Sequence, residues 1–409
     1  MSGTPADSSN TDPKPTPPNN EPTMRRRASR TPLYAAVAVV AVVVIVLLVG
    51  FSAGWFAKKS SPGAPGACPT GETILAAGAS FITPIMSAWQ SGYSGADGNT
   101  VSYSASGAGA GISSLSNAQV DIAATDNPIN ATTQSQMKGP ILTLPITGGA
   151  LAIVYNLPGV TTPLKLSGPT IADIYLGLIT NWNDSRITAN NSGFHPGSEP
   201  IYPLIRADAA GTTYVLTNFL SEDSPKWNSS VGQGITVAFP HIANEVGETG
   251  NSGVYKQVLK ESYSFGYVDL TDVLNHQVQY ASVLNPAGVY ITPNLANSES
   301  AVANVTAKIT LPAATGNWNN VSLVNSKGTG DYPLVTFSYA FVYEALNLGY
   351  QPSVGKSQAI QQFLTWVTGP GQADAASLYY VNLPSNVLAI DATGLHALTF
   401  NGAAIPACG

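Results

Sequence analysis

Hydrophobic positions divide the chain into one unbroken apolar run and a long tract of short, regularly interrupted segments. The run extends from Leu33 to Ala57, reads AAVAVVAVVVIVLLVG at its core and contains no charge. About 20 apolar residues match the hydrocarbon thickness of a bilayer, so the run predicts one transmembrane helix. A cleaved signal peptide is the alternative, but its apolar region spans about 7–15 residues. Ser52 and Gly54 supply only a weak cleavage site. A buried core helix would keep a polar face, which this run lacks.

After Gly71 the pattern alternates strands with helices, which predicts α/β architecture. Strands are expected at Glu72–Ala77, Val101–Ser104, Val120–Ala124, Leu151–Tyr155, Tyr202–Ile205, Ser264–Val268 and Val335–Tyr343. Helices are expected at Ile82–Tyr93, Gly111–Asn117, Ile171–Leu176, Thr213–Leu220 and Gln358–Val367. In the first helix Ile85, Met86, Trp89 and Tyr93 share a face, as residues three and four apart do. This tract of about 340 residues suits two lobes better than one ordinary domain. No period of repeat length is present.

The flanks orient the apolar run. Arg25, Arg26, Arg27 and Arg30 precede it, and only Lys58 and Lys59 follow closely. The more basic side stays in the cytoplasm, which puts everything after residue 58 outside the cell. Residues 1–32, rich in Pro, Ser, Thr and Asn, read as a disordered cytoplasmic arm. Residues 58–70 read as a flexible linker. From Gly71 onward ten Lys and Arg face twenty Asp and Glu, and Arg186 and Arg206 are the two arginines. Nucleic acid is therefore not an expected partner, since no basic patch could neutralise its phosphates. Cys68 and Cys408 bracket the ectodomain. An even pair outside the cell favours a disulfide over a lipid-modified Cys68, for which Pro65-Gly66-Ala67 is a poor lead-in. Asn-x-Ser/Thr sequons at Asn130, Asn183, Asn190, Asn228, Asn304 and Asn320 make glycosylation candidates of a surface protein.

Three loops share one design, in which a strand ends, small residues follow and a helix begins. They are AAGASF at 76–81, SGAGAG at 106–111 and RADAAGTT at 206–213. Small residues let backbone N–H groups approach a ligand, and the helix start directs its positive end at the same point. Three such ends together would bind an oxyanion without a metal or a cofactor. The second loop lacks the dinucleotide-binding spacing, because Ile112 stands where a Gly is needed. The GKS at 355–357 lacks P-loop spacing and reads as a plain helix start. The third loop adds Arg206, whose fork can grip an oxyanion while Asp208 holds it. Asp126, in VDIAATDNPI, reads on spacing alone as a turn residue that bonds its own backbone.

Together these segments resemble the phosphate-binding proteins of Pst-type ABC importers. AAGASFITPIMSAW, VSYSASGAGAGI, VDIAATDNPI, IYLGLITNWND, RADAAGTT and FGYVDL follow one another as in that family. The resemblance covers most of the ectodomain and excludes the N-terminal arm and anchor. It implies a two-lobed, periplasmic-binding-protein-like clamp with a ligand cleft, residues 71–147 plus 333–409 forming one lobe and 148–332 the other. It implies inorganic phosphate as ligand and the permease subunits of an ABC importer as partner. Carried over by residue, it implies that Ser80 donates its hydroxyl and N–H, and Phe81 its N–H. Asp126 would accept a proton from the ligand, and Arg206 would donate twice, oriented by Asp208. Gly211 and Thr212 would donate N–H groups, and Thr212 its hydroxyl. Ala108 stands where the family usually has Ser and Ala210 where it often has one, so two hydroxyl donors are missing there.

An enzyme is not expected. His195, His241, His276 and His396 are scattered without metal-ligand spacing, and no G-x-S-x-G elbow occurs. Capture of another oxyanion, or adhesion or sensing on the same fold, remains the alternative.

Overall fold

The computed structural model describes residues 70–407 apart from 241 and 243. The apolar run at 33–57, the linker up to residue 69, Cys68 and Cys408 lie outside the described residues, as does His241. Among the described residues no helix is long and apolar enough to cross a membrane.

The first strand, β1 (Thr73–Gly78), ends in a short 3-10 turn at Ser80–Ile82, and helix α1 (Thr83–Asp97) follows. Its apolar stripe packs as the spacing requires: Ile85, Met86, Trp89 and Tyr93 are all buried. Strand β2 (Thr100–Ser104), helix α2 (Ala108–Ser116) and strand β3 (Ile122–Thr125) complete a parallel unit in which β1 pairs with both β2 and β3. Helix α2 starts three residues before the expected Gly111, so Ala108 is its first residue.

Strand β4 (Ile141–Tyr155) is buried along all 15 residues. The sequence predicts only its second half, because Pro145 and Gly148-Gly149 look like turn signals. The structure accommodates the proline by shifting register. Against the partner strand β8 (Val335–Tyr343), Ser338 pairs with Thr147 and Tyr339 with Pro145, so Ile146 of β4 is the extra residue beside the proline, which has no N–H to give to the ladder. Gly149 leaves room for Phe81, whose ring atoms lie 2.7 Å from where a Cβ would stand.

Helix α3 (Gly168–Tyr175), strand β5 (Tyr202–Arg206), helix α4 (Gly211–Asp223), strand β6 (Val246–Glu248), helix α5 (Gly250–Lys260), strand β7 (Ser264–Asp269) and helix α6 (Leu270–His276) come between β4 and β8. The main sheet runs β2-β1-β3-β8-β4-β7-β5-β6. Strand β4 pairs with β8 from Ile141 to Ala150 and with β7 from Leu151 to Tyr155. One strand thus joins a sheet portion built by the two ends of the described chain to a portion built by its middle. Helices α7 (Val354–Val367) and α8 (Ser385–His396) close the chain over the first portion. Helix α7 takes in GKS, with Ser353 capping Lys356, so that segment is an ordinary helix start.

Five of the six sequons are exposed, at Asn130, Asn183, Asn190, Asn228 and Asn320. Asn304 differs from the others. It is half-buried, and the amide nitrogen that would carry a glycan donates to both oxygens of Asp331 at 2.9 and 3.0 Å.

Candidate functional site: an anion cleft between helix starts

The three small-residue loops meet at one place, joined by the start of α5. At the end of β1, Phe81 is buried between Gly149 and Tyr380, whose hydroxyl donates to the Phe81 carbonyl at 2.6 Å. This fixes the turn that presents Ser80. The Ser80 Oγ accepts the backbone N–H of Asn251 at 3.1 Å. Ala108 opens α2 behind Gly107, whose φ of 94° is a conformation L side chains rarely adopt. A Cβ at Gly107 would also meet Asp208 Oδ2 at 2.8 Å. The α2 loop touches the third loop directly, since Gly109 N–H donates to the Ala209 carbonyl at 3.1 Å.

Asp126 is not the self-bonded turn residue that its spacing suggests. The turn is closed by Thr125 and Asn127 instead, whose side chain and backbone bond each other. The Asp126 carboxylate reaches across to β8, where Ser338 Oγ donates to Oδ1 at 2.7 Å. Its other oxygen, Oδ2, lies against Gly211, where a Cβ would be 2.5 Å away. Asp126 is 1% exposed. Burial pushes its pKa up to about 7, against the lowering effect of the Ser338 bond and the Arg206 charge.

Arg206 ends β5 with its side chain 1% exposed. Nε and Nη2 form a two-point pair with Asp208. Nη1 donates to Thr212 Oγ1 and to Asn251 Oδ1, both at 2.8 Å. Four of the five guanidinium N–H groups thus have protein partners, so double donation to a ligand requires Thr212 or Asn251 to yield one. Burial works to raise the pKa of Asp208, but the Arg206 pair and the Gly250 N–H hold it below the ordinary carboxylate range. Ala210 caps α4 without a side-chain bond, followed by Gly211 and the buried Thr212. The first N–H groups of such a helix have no intrahelical partner.

Contacts thus bring Ser80, Asp126, Arg206, Asp208, Gly211 and Thr212 close together, with Phe81, Ala108 and Ala210 beside them in the same loops. Sequence reasoning missed Ser338, Asn251 and Gly250. The last two lie in TGNSG at 249–253, small residues before a helix, which is the design noted in the other three loops. Ser338 gave no signal in the apolar run VTFSYAFVY. Among the described residues no three His, Cys, Asp or Glu side chains cluster as metal ligands would. The cleft offers helix-start N–H groups, hydroxyls, one guanidinium and one buried acceptor. That set suits a tetrahedral oxyanion that still carries a proton.

Fold and cleft define a solute-binding protein of the periplasmic type, and residues 63–370 match the PBP superfamily domain. The phosphate-binding protein PstS of Pasteurella multocida is 35% identical over 318 residues, 78% of this chain and 88% of that protein. Its namesake in Methanocaldococcus jannaschii is 32% identical over 340 residues, 81% of this chain and 86% of that one. The chain belongs to the PstS family of phosphate-binding proteins. The fold also matches a solved high-affinity periplasmic phosphate-binding protein, with a TM-score of 0.64 at 20% identity over 82% of this chain and 99% of the other.

Proposed function

We propose that this chain is an extracytoplasmic receptor that captures inorganic phosphate between Asp126 and Arg206 and delivers it to the permease of an ABC importer. The family is one of binding proteins, not of enzymes. The observation that carries the reading is the buried Asp126 carboxylate. Ser338 satisfies one oxygen, and the other faces the α4 start on the same side as the Arg206 charge. In this reading Ser80, Phe81 and Ala108 supply donors from one lobe, residues 71–147 plus 333–409. Arg206, Ala210, Gly211 and Thr212 supply them from the other, residues 148–332, while Asp208 holds Arg206. The passage of β4 between the two sheet portions supports that division.

Residues 33–57 serve as a single-pass anchor with the N-terminus in the cytoplasm and the binding domain outside, on the strength of their length and flanking charges. A Cys68–Cys408 disulfide then ties the domain's ends together, worth about 6 kcal/mol for a loop of about 340 residues in the chain-entropy model. Intact mass under non-reducing conditions checks it: two alkylatable thiols would remove the bridge. Calorimetry of the full-length protein with phosphate, arsenate and sulfate tests the function. Stoichiometric phosphate binding with sulfate excluded is expected, and no heat with phosphate would overturn the reading.

A further inference from the structure

Asn251 occupies the second position of α5 and is 1% exposed. Its three polar groups go to three different elements. The backbone N–H donates to Ser80 Oγ at 3.1 Å. The side-chain Oδ1 accepts from Arg206 Nη1 at 2.8 Å, and Nδ2 donates to Asp269 Oδ2 at 2.6 Å. The amide has one orientation open to it. A guanidinium only donates, so the oxygen faces Arg206, and the nitrogen faces the carboxylate of Asp269. Asp269 is fully buried at the start of α6, and its other oxygen accepts the N–H of Asp272 at 2.9 Å.

We propose that Asn251 is a positioning residue for phosphate capture, setting the Arg206 guanidinium and the Ser80 hydroxyl toward the same anion through one side chain and one backbone N–H. The proposal rests on the phosphate reading above. Ser80 Oγ already accepts from Asn251, so its own proton is free to point at the ligand. Arg206 is held at Nε and Nη2 by Asp208 and at Nη1 by Asn251, which stops the fork from rotating out of the cleft. Asp269, in turn, keeps the amide from turning over. Ser80 follows β1 and Arg206 ends β5, so the arrangement exists only with the two walls of the cleft together. Its loss should therefore appear as faster ligand release.

The experiment is calorimetry and stopped-flow release of inorganic phosphate from the full-length protein, with Asn251→Ala and Asn251→Asp beside wild type. Asn251→Ala should weaken phosphate binding about ten- to a hundredfold, the range of one lost charge-assisted bond, mainly through a faster off-rate. Its melting temperature should fall by some degrees, because Arg206 and Asp269 each lose a buried partner, while the protein stays folded at the assay temperature. Asn251→Asp keeps an acceptor for Arg206 but sets a second carboxyl against Asp269, so the two must share a proton. The titratable groups facing Asp269 are Asp272 on α6, Tyr255 on α5 and Tyr380. The affinity of Asn251→Asp relative to wild type should approach unity in acid and fall as pH rises. A purely structural Asn251 would give no such profile. The proposal is overturned if Asn251→Ala binds like wild type, or if the relative affinity of Asn251→Asp is flat with pH. Should Asn251→Ala fail to fold, the Asn251→Asp profile decides alone. A wild type that takes up no phosphate would overturn the phosphate reading and this proposal with it, whereas equal binding by wild type and variants overturns this proposal only.

Discussion

At the scale of single residues, the proposed function makes Asp126 the residue that would choose between anions. Phosphate and sulfate have nearly the same size, so fit cannot separate them. Near neutral pH phosphate keeps a proton that a carboxylate can accept, whereas sulfate offers only lone pairs and a like charge. Arg206 and the helix-start N–H groups attract both anions about equally, which leaves the choice to Asp126. Its Oδ2 lies beside Gly211, and the side chain is buried. Asp126→Asn turns the repelling oxygen into an amide that can donate. Competition calorimetry at one pH should show sulfate binding appear or rise while phosphate binding weakens or holds. An unchanged preference would remove Asp126 from the site. The same residue predicts a pH effect in the wild type. With its pKa pushed up to about 7 by burial, Asp126 is a neutral acid below that value and a carboxylate above it. Phosphate-over-sulfate preference should therefore grow as pH rises through about 7.

At the scale of elements, the site is assembled from helix starts, and their caps carry consequences. Ala210 caps α4 with no side-chain bond to the first-turn N–H groups. Ser at such a position stabilises a helix by about 1 kcal/mol relative to Ala. Ala210→Ser should raise the melting temperature of the ligand-free protein if the new hydroxyl caps α4. If it turns to the ligand instead, phosphate should bind about tenfold tighter, as a charge-assisted bond is worth about 1.5–3 kcal/mol. Neither change in scanning calorimetry and phosphate titration would mean that the loop has no place for the hydroxyl. Helices and loops were largely legible in advance, since the stripe of α1 and the small-residue runs before α2 and α4 are local signals. Strand β4 was half hidden. Its Pro145 and glycines imitate a turn, and only the pairing with β8, which skips Ile146, shows how the ladder absorbs the proline.

At the scale of the whole molecule, several carboxyls are buried with little compensating positive charge. Asp391 on α8 is fully buried, and neither oxygen has a hydrogen-bond partner. Burial alone raises its pKa from 3.8 to about 9. Asp121 is raised to about 6, burial outweighing the Lys356 ammonium and the Leu75 N–H that bond it. In each case the folded state holds a proton that the unfolded chain releases at lower pH. Their contribution to stability is therefore complete below about pH 4 and is lost as pH rises, for Asp121 up to about 6 and for Asp391 up to about 9. Above about pH 4, where Asp208 and Asp331, held below the ordinary range, are already charged, melting temperature should accordingly fall toward alkali. Asp391→Leu should flatten the upper part of that curve and raise the melting temperature above pH 7. A wild-type curve rising with pH would contradict the assignment of Asp391 as a buried neutral acid.

The sequence by itself determined the α/β alternation and the order of the small-residue loops, and its resemblance to phosphate-binding proteins brought Ser80, Asp126, Arg206 and Thr212 into one proposed site. These follow from local patterns and from motifs that keep their order along the chain. Tertiary structure alone decided that β4 bridges two portions of one sheet and that Asp126 bonds Ser338. It alone linked Asn251 to Ser80, Arg206 and Asp269, and it tied the half-buried Asn304 to Asp331 while the other five sequons are exposed. Ser338 lies 212 positions from Asp126, and Asn251 lies 171 from Ser80. Hydrogen bonds between such distant residues leave no periodicity or spacing in the chain, because they depend on which strand ends the sheet brings face to face.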